Sequence, residues 1–327
     1  MNQKTLQSLN AQRRDGYRKP PMVENFLEVL NQQLHLWEVS TYQDFPEEHP
    51  FLFVFGVPRS GTTLLGQVVA HCLDVGYINN FSARFWLAPV TGIRLAKILL
   101  DGEKTTRFES YYATTKDLAD IHEFGYFWRY WLKKEDLADF VHTRANEDII
   151  DWPGLKRMLL NIQNEFSKAV AFKSIFGAYH IERFLQVFDK SMFIYIERDP
   201  VDNAISILRA REKFYTDTRL WWSTVPLEYE QLKNLPTPEQ IGGQVYHLRR
   251  FYEQQFEAVS HERIVKITYK EMCENPAQIL DKIQVNCMRH FGYELPITVK
   301  PPTQFEYRRH LDDPELRDEF KNIMAKL

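Results

Sequence analysis

The sequence predicts an α/β fold, a parallel β-sheet flanked by helices with further helices inserted between the strands. Three observations carry that prediction. Short, continuous apolar runs of β-favouring residues recur along the 327-residue chain, as they do in strands buried on both faces. Most of these runs are separated by long stretches of helical periodicity, the alternation that builds right-handed βαβ units. The first run, FLFVFGV at 51–57, feeds a glycine-bounded turn and then a helical pattern.

Taken in order, residues 1–45 read as a polar lead followed by a helical pattern through Phe26, Leu27, Leu30 and Leu34, closed by Pro46 and Pro50. This extension is expected to pack on a single main domain spanning 46–327. After the strand at 51–57 a helix is expected from about Thr62. Further strands are expected at VGYIN (75–79), AVAFK (169–173), MFIYIE (192–197) and IVKIT (264–268). Helices are expected at 85–100, 124–133, 153–166 and 243–259, while PTPEQIGG (236–243) reads as a loop. A content of 44% hydrophobic and 14% aromatic residues is enough to bury a large core beneath these elements.

Composition narrows the function classes. A formal charge of −3 gives no global attraction to nucleic acid, so any anion site has to be local. The first twenty residues are too polar for a signal-peptide core, and no apolar run approaches the roughly 18 residues of a membrane span. No transmembrane segment and a cytoplasmic location are therefore expected; the oligomeric state is not legible. Cys72, Cys273 and Cys287 form no C-x-x-C pair, which predicts reduced thiols in or near the core. No metal site is expected either, because His122-Glu123 is followed at 126 by Tyr, where an H-E-x-x-H helix needs its second histidine.

Gly56-Val-Pro-Arg-Ser-Gly61-Thr62-Thr63 has the spacing of a phosphate-binding loop, G-x-x-x-x-G-K-[ST], with Thr62 in place of the lysine. A buried strand, two glycines and a helix N-terminus bring backbone N–H groups to one point, which makes an anion cradle. The cation has moved into the loop as Arg59, next to Ser60 and Gly61, and Thr62 and Thr63 add hydroxyls. Nucleotide hydrolases use the lysine to reach the β- and γ-phosphates. A ligand with one bridging 5′-phosphate thus fits better than a triphosphate with its metal.

A second strand-to-helix segment, FIYIERDPVDNAISILRAR at 193–211, ends its strand on Arg198 and places Ser206 eight residues later. A guanidinium with a nearby hydroxyl suits a phosphate monoester. The simpler reading of Arg198 is an ion pair with Asp199 or Asp202.

Together, the P-R-S-G-T-T loop and the R-x7-S segment resemble the sulfotransferases that use 3′-phosphoadenosine 5′-phosphosulfate. TYKEMCENP at 268–276 is similar to that family's Y-E-D-[LM]-x-x-[ND]-P stretch, so the likeness runs over roughly residues 51–290. The resemblance implies a P-loop-like fold in which the first loop holds the 5′-phosphosulfate, Arg198 and Ser206 hold the 3′-phosphate, and Tyr269 lies near the adenine. It implies that Lys173 stands near the transferred group and that Arg308 and Arg309 belong to a C-terminal segment closing over the 3′-phosphate, although the usual glycine-rich surroundings are absent. The reaction it implies is in-line transfer of SO₃ to a hydroxyl or amine of a small-molecule acceptor, leaving adenosine 3′,5′-bisphosphate. Arg59 and Lys173 would then neutralise developing charge.

Two features of the family are missing. Ile175 stands where some members carry a catalytic histidine, and INNFSAR (78–84) lacks the glutamate another branch places after its second strand. The general base is therefore assigned to His122, with Glu123 second, and after them to Asn80, Ser82 or His180. Against this, Asp120-x-x-Glu123 has the form of a helix capping box. Phe124, Phe127, Trp128, Trp131 and Leu132 form a helical stripe that reads either as core or as an apolar wall for the acceptor, and FYTDTRLWW (214–222) reads as core, an opposite wall or a lid. The competing interpretation is a kinase or a non-catalytic nucleotide-binding module, with Glu197 positioning Mg²⁺; Thr62 and the Arg198/Ser206 pair oppose it.

Overall fold

Five parallel strands form the centre of the molecule, in a computed structural model that describes residues 10–100, 108, 117–259 and 261–327. Residues 1–9 of the expected N-terminal extension lie outside the described residues. The strands are β1 (Phe51–Phe55), β2 (Gly76–Tyr77), β3 (Val170–Lys173), β4 (Ser191–Glu197) and β5 (Ile264–Thr268), in the order β2-β3-β1-β4-β5. The central strand β1 is buried along its whole length, which is why its sequence is apolar without alternation.

The two faces of β1 supply two cores. Phe51, Phe53 and Phe55 point into an aromatic layer, where Phe53 stacks on Phe172 at 5.7 Å and on Phe193 at 5.0 Å. Leu52 and Val54 point the other way, onto Leu65, Val68 and Val69 of helix α1 (Thr62–Cys72). Parallel pairing puts the C-terminal ends of β1, β3 and β4 at one edge, with Phe55 level with Tyr195 and Val54 level with Lys173. The phosphate-type loop, Lys173 and Arg198 follow these ends, so they converge at the edge where open α/β sheets bind ligands.

Helices surround the sheet, among them α2 (Pro89–Leu100), α3 (Gly125–Trp131), α4 (Trp152–Phe166), α5 (Pro200–Phe214), α6 (Thr237–Glu257) and α7 (Pro314–Met324). The stripe 124–132 is core, with Trp128 packed on Phe53, Phe172 and Phe184. All three cysteines are buried.

One expectation fails here. The stretch 236–243 opens helix α6 instead of forming a loop. Pro238 occupies its first turn, and Gly242 and Gly243 sit where a Cβ would come within 2.6 Å of Ile323 and 2.5 Å of Leu232, so these glycines serve close packing. The N-terminal helix, Pro21–Thr41, docks through the buried Asn31 and Glu38 and the half-buried Leu27, Leu30 and Leu34, while Phe26, the remaining residue of its apolar pattern, is 65% exposed.

Candidate active site

The loop after β1 is shaped by its backbone. Arg59 and Gly61 both take positive φ, 70° and 106°, and at Gly61 a Cβ would stand 2.5 Å from the ring of Tyr269. Helix α1 begins at Thr62 with no side chain capping it, which leaves the N–H groups of its first turn turned to the loop. The Ser60 hydroxyl is fully buried and has no hydrogen-bond partner. An unclaimed helix N-terminus beside an unpartnered buried hydroxyl is a cradle suited to a phosphate.

Helix α5 supplies the facing wall. Asn203 donates to the Pro58 carbonyl at 2.8 Å, fixing α5 against the loop, and Arg59 Nε donates to Ser206 Oγ at 3.0 Å. Ser206 therefore pairs with Arg59, not with Arg198. The Arg198 guanidinium lies 4.7 Å over the Tyr269 ring and donates to the carbonyls of Arg59, at 3.2 Å, and Arg308, while its Nε is buried without a partner. Arg198 makes no ion pair with either neighbouring aspartate: Asp199 caps α5, and Asp199 and Asp202 both face Arg317. Arg308 turns its side chain to Glu306 at 2.8 Å and Arg309 reaches Asp202 at 3.6 Å, so only the backbone of this pair meets Arg198. Beside the guanidinium opens a recess of about 210 Å³, lined among others by Glu197, Arg249, Thr268, Tyr269 and Tyr307. Glu197, the acid a metal-dependent reading would use, lies 3.6 Å from Arg249.

On the other side of the loop, the buried Lys173 donates from Nζ to Thr63 Oγ1 at 2.9 Å and lies 3.5 Å from the Glu123 carboxylate. The segment bearing Glu123 is held by Asp120, whose buried carboxylate accepts from Gln67 at 2.7 Å, contacts His71 at 3.0 Å and accepts the N–H of Ile121 at 2.7 Å. Gln67 and His71 both lie on α1, so the helix that starts at the loop also carries the segment that faces it. The capping box expected from Asp120 and Glu123 is absent: α3 starts at Gly125 and no side chain caps it.

His122 behaves differently from the sequence expectation. His122 is exposed, yet surrounding protein, then Lys173, Lys19 and Arg84, lower its pKa, so it is neutral near pH 7. Phe124, in the left-handed region at φ 55°, turns its N–H onto His122 Nδ1 at 2.9 Å. With Nδ1 accepting, the proton of the neutral ring sits on Nε2, which makes the open nitrogen a donor.

The remaining candidates lie elsewhere or are engaged. His180 is buried against Trp152 and bonds Glu147 at 3.1 Å, and Asn80 and Ser82 are used in local bonds to Asp117 and Asn79. Sequence reading missed Asp120 as an anchor, because its partners are 53 and 49 residues away. It also missed Tyr307 as a lining residue, since nothing in the local sequence distinguishes it. Among the described residues no cluster of acids, histidines and cysteines could hold a metal ion, and no helix is long and apolar enough to cross a membrane.

Similarity to known proteins agrees with this layout. Sulfotransferase STF9 from Mycobacterium avium superposes with a TM-score of 0.51 at 16% identity, covering 92% of this chain and 72% of that one. Sulfotransferase STF1 from Mycobacterium tuberculosis does so at 0.50 and 14%, covering 92% and 82%. At such identities the likeness is one of fold. No curated protein sequence matches the chain. A model of the sulfotransferase family, however, matches residues 50–291, a span that takes in the loop after β1, the Arg198 segment and Tyr269. By that match the chain belongs to the sulfotransferase family.

Proposed function

We propose that the protein transfers a sulfuryl group from 3′-phosphoadenosine 5′-phosphosulfate to a hydroxyl or amine of a small-molecule acceptor, without a metal. The observation that carries this reading is the cradle of Ser60, Gly61 and the α1 N-terminus, with Arg198 stacked on Tyr269 beside it. One anionic site at the loop and a second cation over an aromatic ring fit a nucleotide with a 5′-phosphate, a 3′-phosphate and a purine.

In this reading Ser60, Gly61, Thr62 and Thr63 hold the 5′-phosphate. Thr63 Oγ1 already accepts from Lys173, so its own hydrogen is free to be donated to a phosphate oxygen. Arg198 gives up the Arg308 carbonyl for the 3′-phosphate, and the adenine enters the recess at Tyr269 and Tyr307. Arg59, held by Ser206, and Lys173 balance charge as the sulfur–oxygen bond to the 5′-phosphate breaks and the acceptor oxygen or nitrogen bonds to sulfur. The acceptor's proton passes to Glu123. We place the base there and not on His122, because a carboxylate is an acceptor, whereas the open nitrogen of His122 carries hydrogen.

The test is transfer of label from ³⁵S-labelled donor, in EDTA, to a panel of phenols, alcohols, sterols, amines and sugars. Labelled acceptor and stoichiometric adenosine 3′,5′-bisphosphate are expected from at least one class. No transfer to any of them, together with turnover of Mg-ATP, would overturn the reading.

A further inference from the structure

The inward side of the N-terminal helix Pro21–Thr41 carries two buried polar residues, Asn31 and Glu38, among the half-buried Leu27, Leu30 and Leu34. Asn31 Nδ2 donates to the Arg84 carbonyl and Oδ1 accepts from the Leu87 N–H, both at 2.8 Å. The buried Glu38 carboxylate accepts the N–H groups of Val90 at 3.0 Å and Thr91 at 2.7 Å, at the start of α2. His35 Nδ1 lies 2.9 Å from the Leu87 carbonyl. These buried bonds fix the helix's rotation, so the opposite face is held outward by construction.

That outward face is apolar. Met22, Phe26, Val29, Leu36 and Trp37 are 82, 65, 58, 79 and 55% exposed. At 3.6 residues per turn they fall within an arc of about 100°, with Gln33 among them. The positions 22, 26, 29, 33 and 36 alternate steps of four and three, which is the spacing of a helix–helix seam with one polar position. The five side chains expose roughly 600 Å², at the top of the range for the largest apolar patch of a monomer and most of the roughly 800 Å² each partner of a standard interface buries.

We propose that this face pairs with the same face of a second copy of the chain, antiparallel about a two-fold axis near Val29. Met22 and Leu36 are each seven residues from Val29, so that axis sets Met22 against Leu36 of the partner subunit and Val29 against its own copy. The seam positions carry no charge, so two copies meet without repulsion. A bilayer is the poorer occupant: residues 21–41 contain no lysine or arginine, the groups by which interfacial helices hold anionic lipid.

Light scattering on the eluting full-length chain at micromolar concentration tests this. The wild type is expected at twice the 38.9 kDa chain mass, and V29E/L36E at the single mass with an unchanged far-UV spectrum and cooperative unfolding. Val29→Cys, oxidised mildly, is expected to give a covalent dimer in high yield, as only an axis close to that residue allows. A wild type at single-chain mass, a dimer that survives V29E/L36E, or co-sedimentation of wild type but not V29E/L36E with phosphatidylglycerol vesicles would each overturn the proposal.

Discussion

Glu123 and His122 are neighbours in sequence with opposite chemistry in the fold, and the difference comes from one backbone angle. Phe124 in the left-handed region aims its N–H at His122 Nδ1, which fixes the tautomer, while Glu123 reaches Lys173 at 3.5 Å. The histidine's ordinary pKa made it the stronger candidate from sequence, because neither the angle nor the cations around it are local sequence properties. Glu123→Gln is expected to lower kcat by about 10² or more with little change in Tm, whereas His122→Asn should stay within about tenfold of wild type. Near-equal kcat in wild type and Glu123→Gln would remove the carboxylate from the reaction. Arg198 stood out in the sequence as a candidate anion ligand only beside the P-R-S-G-T-T loop, because alone it reads as an ion pair with Asp199 or Asp202. Arg198→Ala is expected to weaken adenosine 3′,5′-bisphosphate binding by about 2–3 kcal/mol, measured calorimetrically, and Arg198→Lys to recover only part of it, because a point charge cannot replace a planar fork. Unchanged affinity in the alanine variant would move the 3′-phosphate elsewhere.

Elements were legible where burial left one sequence solution. A strand covered on both faces has to be apolar throughout, and β1, β3 and β4 were visible for that reason. The same rule hid α6, whose proline and paired glycines look like loop punctuation but serve a first turn and a tight helix contact. In the N-terminal helix the hydrophobic period picks out the half-buried Leu27, Leu30 and Leu34 but leaves open how the helix is turned about its axis. Asn31 and Glu38 decide that through bonds to residues 84–91. Glu38→Ala leaves two buried N–H groups at the start of α2 without acceptors and is expected to cost on the order of 2–3 kcal/mol in urea unfolding. A loss under about 0.5 kcal/mol would mean the carboxylate is not what docks this helix.

The whole molecule couples the C-terminal segment to pH. His310 accepts from Arg209 at 2.7 Å through Nδ1, and burial together with Arg198 and Arg209 holds its pKa down to about 4. In the unfolded chain it returns to about 6.5. Between those values the unfolded state binds more protons than the folded one, so its contribution to stability is complete above about pH 6.5 and is lost as pH falls toward 4. Tm is therefore expected to drop between pH 7 and pH 4, and less steeply in His310→Gln; parallel curves would exclude His310 from the linkage. The segment this histidine helps anchor also places the Arg308 carbonyl on Arg198, the group proposed to meet the donor's 3′-phosphate.

Titration of the wild-type protein with adenosine 3′,5′-bisphosphate in EDTA, followed by calorimetry, bears most directly on the proposed reaction. One site per chain is expected, with micromolar affinity and no requirement for metal, while Mg-ATP gives no comparable heat. Saturable binding of Mg-ATP with none of the bisphosphate would contradict the assignment of both the loop and Arg198.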